Sequence, residues 1–179
     1  MGMTEKTITA HNADNQLKEL YETAFPVEEQ IPWSVLLRLI DEMPLYFTAY
    51  YEKEKFIGLT IVYPYKSYNW FWYFAVKEEF RGKGFGQEIL SNLIEKYSDK
   101  NIILDMESPY QPGAKNIDQR MRRLEFYSRN GFHDTHAHKF FDGIEYTIML
   151  HGDGVFTVQD YDAIISDLRR FWQTDDSKE

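Results

Sequence analysis

The sequence predicts an α/β (α+β) protein. One central sheet of mixed, mostly antiparallel direction, with about six to seven strands, is flanked by helices and followed by an extra C-terminal helix. Three observations predict this. Residues 45–76 hold three strand-like runs joined by short turns, which favours antiparallel neighbours. The third run leads into a glycine-rich turn and an amphipathic helix. Near the C-terminus a hairpin signal precedes one last helical stretch. The order β-α-α-β-β-β-α-β-α-β-β-α is not a regular βαβ alternation.

Thr7 to Ala10 is the expected first strand. Ala13 to Phe25 places Leu17, Leu20, Tyr21 and Ala24 at helical spacing, and Pro26 stops that helix. Pro32 suits the start of a second helix, Trp33 to Ile40, closed by Pro44. Strands are expected over Leu45–Tyr51, Phe56–Tyr63 and Tyr68–Val76, the last almost wholly aromatic or β-branched. Gly84 to Tyr97 carries Phe85, Ile89, Leu90, Leu93, Ile94 and Tyr97 as one apolar stripe. A strand at Asn101–Met106, a loop at Ser108–Asn116 and a helix at Ile117–Arg129 come next, with Asn130-Gly131 as the helix stop. Phe132–Phe141 and Glu145–Leu150 form a hairpin around Asp142-Gly143. Thr157 and Asp160 resemble a capping box ahead of Tyr161, Ile164, Ile165, Leu168 and Trp172. A single domain is expected over residues 1–179, with its core at about 6–150 and a helical extension at about 157–173.

Bulk properties narrow the function. Hydrophobic residues make up 43% and charged residues 27%, the balance of a globular chain. The net charge of −9 argues against a nucleic-acid partner, which would need a basic face. It suits a cationic substrate better. The absence of cysteine excludes disulfides and thiolate chemistry. No apolar run reaches the roughly 18 residues that span a bilayer, and Met1 to Lys6 carries no signal-peptide pattern. A soluble cytoplasmic protein without a membrane partner is the expectation.

The strongest local signal is Arg81-Gly82-Lys83-Gly84-Phe85-Gly86, set between a strand and a helix. Such a turn aims unpaired backbone N–H groups at one point, and the helix dipole adds positive potential there. Glycine allows an anion close to the backbone, and Arg81 and Lys83 add charge. Phosphate or diphosphate is the implied ligand. Gln87 and Glu88 stand where a P-loop needs Lys and then Ser or Thr, and the glycine spacing differs from a dinucleotide fingerprint.

This stretch resembles the acetyl-CoA motif of the GNAT superfamily, [Gln/Arg]-x-x-Gly-x-[Gly/Ala], at Arg81, Gly84 and Gly86. Phe74-Ala75-Val76 resembles the family strand whose backbone pairs with the pantetheine arm. Phe126-Tyr127-Ser128-Arg129-Asn130-Gly131-Phe132 resembles the family's Phe-Tyr-x-x-x-Gly-Phe signature. The resemblance covers roughly Lys6 to Leu150. Asp105 to Pro109, with Arg122-Arg123 ahead of Phe-Tyr, looks like a less characterised bacterial branch. Arg120 and Arg123 stand where many relatives carry Asn and Ala.

The resemblance implies a GNAT fold and an N-acetyltransferase that uses acetyl-CoA as co-substrate and needs no metal. The acetyl group would pass by direct attack to a primary amine of a small molecule or peptide. The alternative is a catalytically inactive acyl-CoA sensor on the same fold. The cofactor-binding residues would be Phe74, Ala75, Val76, Arg81, Gly82, Lys83, Gly84, Phe85, Gly86 and Tyr127. The Val76 N–H is the expected donor to the thioester carbonyl. Tyr127 is the expected general acid, since a phenol stays protonated at neutral pH. Glu107 is the expected base, sharing side-chain parity with Asp105. Glu28 and Glu29, between the first two helices, are candidates for attracting the amine.

Other features keep two readings. His136 and His138 share a strand face, but no third metal ligand is evident beside them or His133. Arg120, Arg122 and Arg123 suit a CoA phosphate, an acidic substrate or a salt-bridged helix surface. Tyr63, Tyr65, Tyr68, Trp70, Trp72 and Tyr73 line an acceptor pocket or build the core. The final helix covers a face, flanks the pocket or pairs two chains into a homodimer.

Overall fold

Seven strands form one sheet: β1 (Thr4–Thr7), β2 (Tyr46–Glu52), β3 (Lys55–Tyr65), β4 (Tyr68–Val76), β5 (Asn101–Glu107), β6 (His133–Phe141) and β7 (Ile144–His151). They lie in the order β1-β2-β3-β4-β5-β7-β6. Among the described residues five helices flank them: α1 (Asn15–Ala24), α2 (Trp33–Glu42), α3 (Phe85–Lys96), α4 (Ile117–Ser128) and α5 (Val158–Trp172). This computed structural model describes residues 2–172, the Trp172 side chain excepted. The expected end of the last helix at residue 173, and the place of Trp172 on its apolar stripe, lie outside the described residues.

Every strand pair is antiparallel except β4–β5. That parallel pairing is brief: Tyr68 faces Asn101, Asn69 faces Ile102 and Trp70 faces Ile103. Beyond Trp70 the two strands part. β4 stays on β3 until Val76 faces Gly58, whereas β5 stays on β7 until Glu107 faces Tyr146. The register between β3 and β4 shifts at this point, with Ile61 opposite Tyr73 and Val62 opposite Phe71, so that Trp72 is passed over. A bulge of this kind bends its strand and re-aims the residues beyond it.

Helices cover both faces. On one, Tyr21 of α1, Leu36 and Leu39 of α2, and Ile164 and Leu168 of α5 pack with Phe47, Ile61, Trp70 and Ile103. On the other, Leu90 and Leu93 of α3 pack with Phe71, Leu104, Phe132 and Met149, and α4 adds Leu124, Phe126 and Tyr127. Helix α2 has no side-chain cap and no basic residue in its last turn. Leu36 and Leu39 are fully buried, and at about 1.5–3 kcal/mol each that burial holds the helix in place.

The first strand differs from expectation, covering Thr4–Thr7 and not Thr7–Ala10. Asn12 is the reason. Its amide donates to Thr7 O at 3.0 Å and accepts from Thr9 N at 2.8 Å, capturing groups that would have extended the ladder. The other signals are realised locally. Asp14 caps α1 by accepting from Leu17 N, Thr157 and Asp160 bond reciprocally ahead of α5, and Asp142 and Gly143 both have positive φ at the β6–β7 turn. His136 has φ 62 inside a register shift of β6, so the alternation that would align it with His138 is broken.

Gly58 shows how tightly β3 and β4 are held. A Cβ there would lie 2.4 Å from Ala75 O. Gly58→Ala is expected to cost about 1–3 kcal/mol as overpacking, lowering Tm by roughly 2–4 °C per kcal/mol. Thermal unfolding followed by circular dichroism checks this; an unchanged Tm refutes it.

Candidate active site

The loop after β4 has the backbone geometry of an anion cradle. Gly82 and Gly84 have φ of 71° and 89°, where side chains are strained, and a Cβ at either would meet nothing within 4 Å. Their requirement is therefore conformational and not steric. Arg81 N–H donates to Glu78 O and Glu88 N–H to Gly84 O. Among the described residues, the N–H groups of residues 82–87 make no hydrogen bond of normal geometry. Arg81 and Lys83 are exposed beside them. The cradle therefore offers free donors, the positive end of α3 and two cations to one anion. Gly86 packs inward, where a Cβ would lie 3.8 Å from Phe74 and 3.9 Å from Val76.

The strand ahead of the loop has a free edge. Lys77 N–H donates to Ile57 O on β3. By alternation, the N–H and C=O of Phe74 and Val76 point to the opposite edge, the one that β5 has left. Arg81 Nε donates to Val76 O at 2.9 Å, which anchors the loop to the strand end. The Val76 N–H lies on that open edge, in the gap between β4 and β5.

Tyr127 borders the gap from α4. Its ring packs on Phe126 and Phe132, with centroids 5.3 and 5.7 Å away. Its hydroxyl makes no hydrogen bond to any described residue. Burial pushes the phenol up to about 12; the charge of Arg123 opposes the rise and that of Asp105 adds to it. The group is a proton donor at neutral pH.

On the opposite face, acidic and aromatic side chains converge. Asp105 accepts from Trp70 Nε1 at 3.0 Å and from Tyr161 Oη at 3.2 Å. Glu29 accepts from the Tyr146 hydroxyl, while Tyr73 donates to the Glu29 carbonyl. Burial raises both carboxyl groups above the ordinary range; for Glu29, the charges of Asp105 and Glu107 add to the rise. Tyr73, Tyr146 and Tyr161 are pushed up strongly by burial.

Glu107 occupies a different setting from the one its expected role as base requires. Its Oε2 lies 2.8 Å from Arg120 Nε and accepts from Asn116 Nδ2 at 2.9 Å, with both ion-pair side chains largely buried. Arg120 also donates to Asn116 Oδ1, Ser108 O and Gln111 Oε1. A carboxylate engaged in this way pins the long 108–116 loop. Of the two glutamates in the first interhelical loop, Glu28 is exposed, and only Glu29 joins the site. It does so from a single 3-10 turn, Val27–Glu29.

The sequence reading missed Asp105, Tyr146 and Tyr161 as site residues. Only Asp105 carried a usable signal, its parity with Glu107 on a strand flanking the gap. Of the aromatic run, Trp70 and Tyr73 build the core, as one of the two expectations had it. Yet Trp70 donates to the Asp105 carboxylate and Tyr73 to the backbone carbonyl of Glu29, and Trp72 stacks between them at 4.9 and 5.0 Å. Among the described residues, no three His, Asp or Glu side chains group as a metal site, and no helix is long and apolar enough to cross a membrane.

The sequence profile of the Acetyltransferase (GNAT) family matches residues 15–132. The chain belongs to this family. A solved structure described as an acetyltransferase of the GNAT family from Bacteroides thetaiotaomicron aligns at a TM-score of 0.73 and 23% identity, covering 92% of this chain and 95% of that one. A Bacillus subtilis acetyltransferase in complex with CoA aligns at 0.61 and 15%, covering 86% and 100%. A GNAT family acetyltransferase from Elizabethkingia anophelis with acetyl-CoA bound aligns at 0.53 and 17%, covering 84% and 98%. A search of curated proteins returns no match. The GNAT profile ends at residue 132, so α5, which brings Tyr161 to Asp105, lies outside it.

Gly84→Ala is expected to cost about 1–2 kcal/mol of left-handed strain and to shrink the rise in Tm that CoA produces; an undiminished rise would show that the loop does not hold CoA. A second expectation concerns pH. Because the folded Asp105 carboxyl is raised above its unfolded value, its stabilising contribution is full at low pH and fades as pH rises through the raised value. Asp105→Asn is expected to flatten the decline in Tm as pH rises above the ordinary carboxylate range. Parallel Tm curves for variant and wild type would contradict this.

Proposed function

We propose that the protein transfers the acetyl group of acetyl-CoA to a primary amine of a small molecule or peptide by direct attack. One observation carries the reading. The gap between β4 and β5 has the unpaired donors of residues 82–87 at its mouth, the unpartnered Tyr127 hydroxyl on one face and proton-accepting carboxyl groups on the other.

The diphosphate of CoA would rest on the 82–87 amides, with Arg81 and Lys83 nearby. The pantetheine arm would run along the free edge of Phe74–Val76 beside Phe85 and Gly86. The thioester carbonyl would then meet the Val76 N–H, a fixed dipole where negative charge develops. Glu29 takes a proton from the acceptor ammonium, and the neutral amine attacks the carbonyl carbon. The C–N bond forms, the C–S bond breaks, Tyr127 donates its proton to the departing sulfur, and the proton shed by the newly acylated nitrogen restores the Tyr127 phenol. Glu29 suits its task because burial raises its carboxyl, whereas Glu107 is already engaged by Arg120. Holding both reactants in this gap supplies the alignment, a large part of such a rate.

The test is thiol release from acetyl-CoA across a panel of primary amines. Tyr127→Phe is expected to lower kcat by about 10²–10⁴-fold while leaving the KM for acetyl-CoA nearly unchanged. With Glu29 required in its ionised form, kcat/KM rises with pH through the raised carboxyl value, and Glu29→Gln should remove that limb. Tight CoA binding with no release from any amine would favour the sensor reading instead.

A further inference from the structure

Helix α4 spans the site lengthwise. Its C-terminal end is tied to the start of α3, where Asn130 Nδ2 donates to Gln87 Oε1 at 3.1 Å. Its N-terminal part is tied to the end of β5 by the Arg120–Glu107 pair at 2.8 Å. Moving from Asn130 toward Arg120 therefore leads from the anion cradle, past Tyr127, toward the acidic face. Arg120, Arg123 and Tyr127 share one stripe of this helix, at i, i+3 and i+7. Arg123 lies one turn, about 6 Å along the axis, beyond Tyr127 on the side away from the cradle. Arg122 lies about 100° around the helix from it and off the stripe.

The two arginines of the stripe are used differently. Arg120 is buried and saturated by Glu107, Asn116, Ser108 and Gln111. Arg123 is exposed and makes no hydrogen bond or ion pair to any described residue, although its charge acts on both Glu29 and Tyr127. An arginine serving only to neutralise the acidic face would be paired with it, as Arg120 is with Glu107. A guanidinium fork left open beside the reacting groups matches a carboxylate, which it can hold through two parallel hydrogen bonds.

We infer that Arg123 is a specificity-determining residue that receives a carboxylate carried by the acceptor close to its amine, so that the acceptor is an amino acid. The inference rests on the acetyltransferase reading above and narrows it. A zwitterion satisfies both signs present: its ammonium faces Glu29 and Asp105, and its carboxylate faces Arg123. A diamine of the same length would satisfy only the acidic face.

Matched pairs of acceptors test this: phenylalanine against phenethylamine, and lysine against cadaverine, each in thiol-release assays with acetyl-CoA. A charge-assisted pair is worth roughly a tenfold to hundredfold preference, so kcat/KM should favour one or both acids over their decarboxylated partners by that factor. Arg123→Gln should reduce the ratio to near one, and Arg123→Glu should turn it toward the decarboxylated amines. The KM for acetyl-CoA and the Tm should hold in both variants. Equal use of acids and amines by the wild type overturns the inference and leaves the transferase reading standing. So does a Gln variant that slows both members of a pair alike, or one that weakens acetyl-CoA binding. No release from any amine overturns the transferase reading and this inference together.

Discussion

The separation of β4 from β5 beyond Trp70 is the constraint on which the rest of the molecule depends. Two neighbouring parallel strands would ordinarily satisfy each other's backbone groups along their shared length. Here the pairing stops after Trp70, and the outward-facing groups of Phe74 and Val76 are left on an open edge in the middle of the sheet. An internal edge is costly unless something occupies it. The bulge at Trp72 re-aims β4, and the pairing of β5 with β7 holds the other side of the opening.

Chemistry is divided across this opening by charge. One mouth gathers positive potential, from the amides of residues 82–87, the α3 dipole, Arg81 and Lys83. The far side gathers carboxyl groups whose burial makes them reluctant to ionise, held by tyrosine and tryptophan donors in place of cations. Tyr127 stands between the two, with a hydroxyl that no described residue claims. Such an arrangement destabilises the folded chain at neutral pH relative to an apolar substitute. Under the proposed function that cost falls where proton transfer needs it, since a raised carboxyl accepts a proton and an undissociated phenol gives one.

Much of the fold, and the backbone geometry of the glycine loop, were legible in the sequence, because their causes are local. Positive φ at Gly82 and Gly84, the cap at Asp14, the turn at Asp142-Gly143 and the stripe of α3 each involve residues a few positions apart. The acceptor half was less legible. Glu107 shares the expected face with Asp105, yet it is paired with Arg120, thirteen positions later on another element. Glu28 and Glu29 are indistinguishable as letters. The 3-10 turn they share exposes one and brings the other to Tyr146. Tyr161 belongs to a helix whose amphipathic pattern said that it packs, and nothing in that pattern said against what.

By itself the sequence determined the strand and helix order, the glycine cradle and the presence of a tyrosine at the signature position. These come from periodicity and from backbone conformations open to few residue types. Only the tertiary structure decided where β4 and β5 part and which acidic residue meets a hydrogen-bond donor and which a cation. It also decided that α5 brings Tyr161 to Asp105. Those outcomes depend on residues 29, 105, 146 and 161 arriving at one place. Burial and electrostatics act on distance in space, and separation along the chain does not record it.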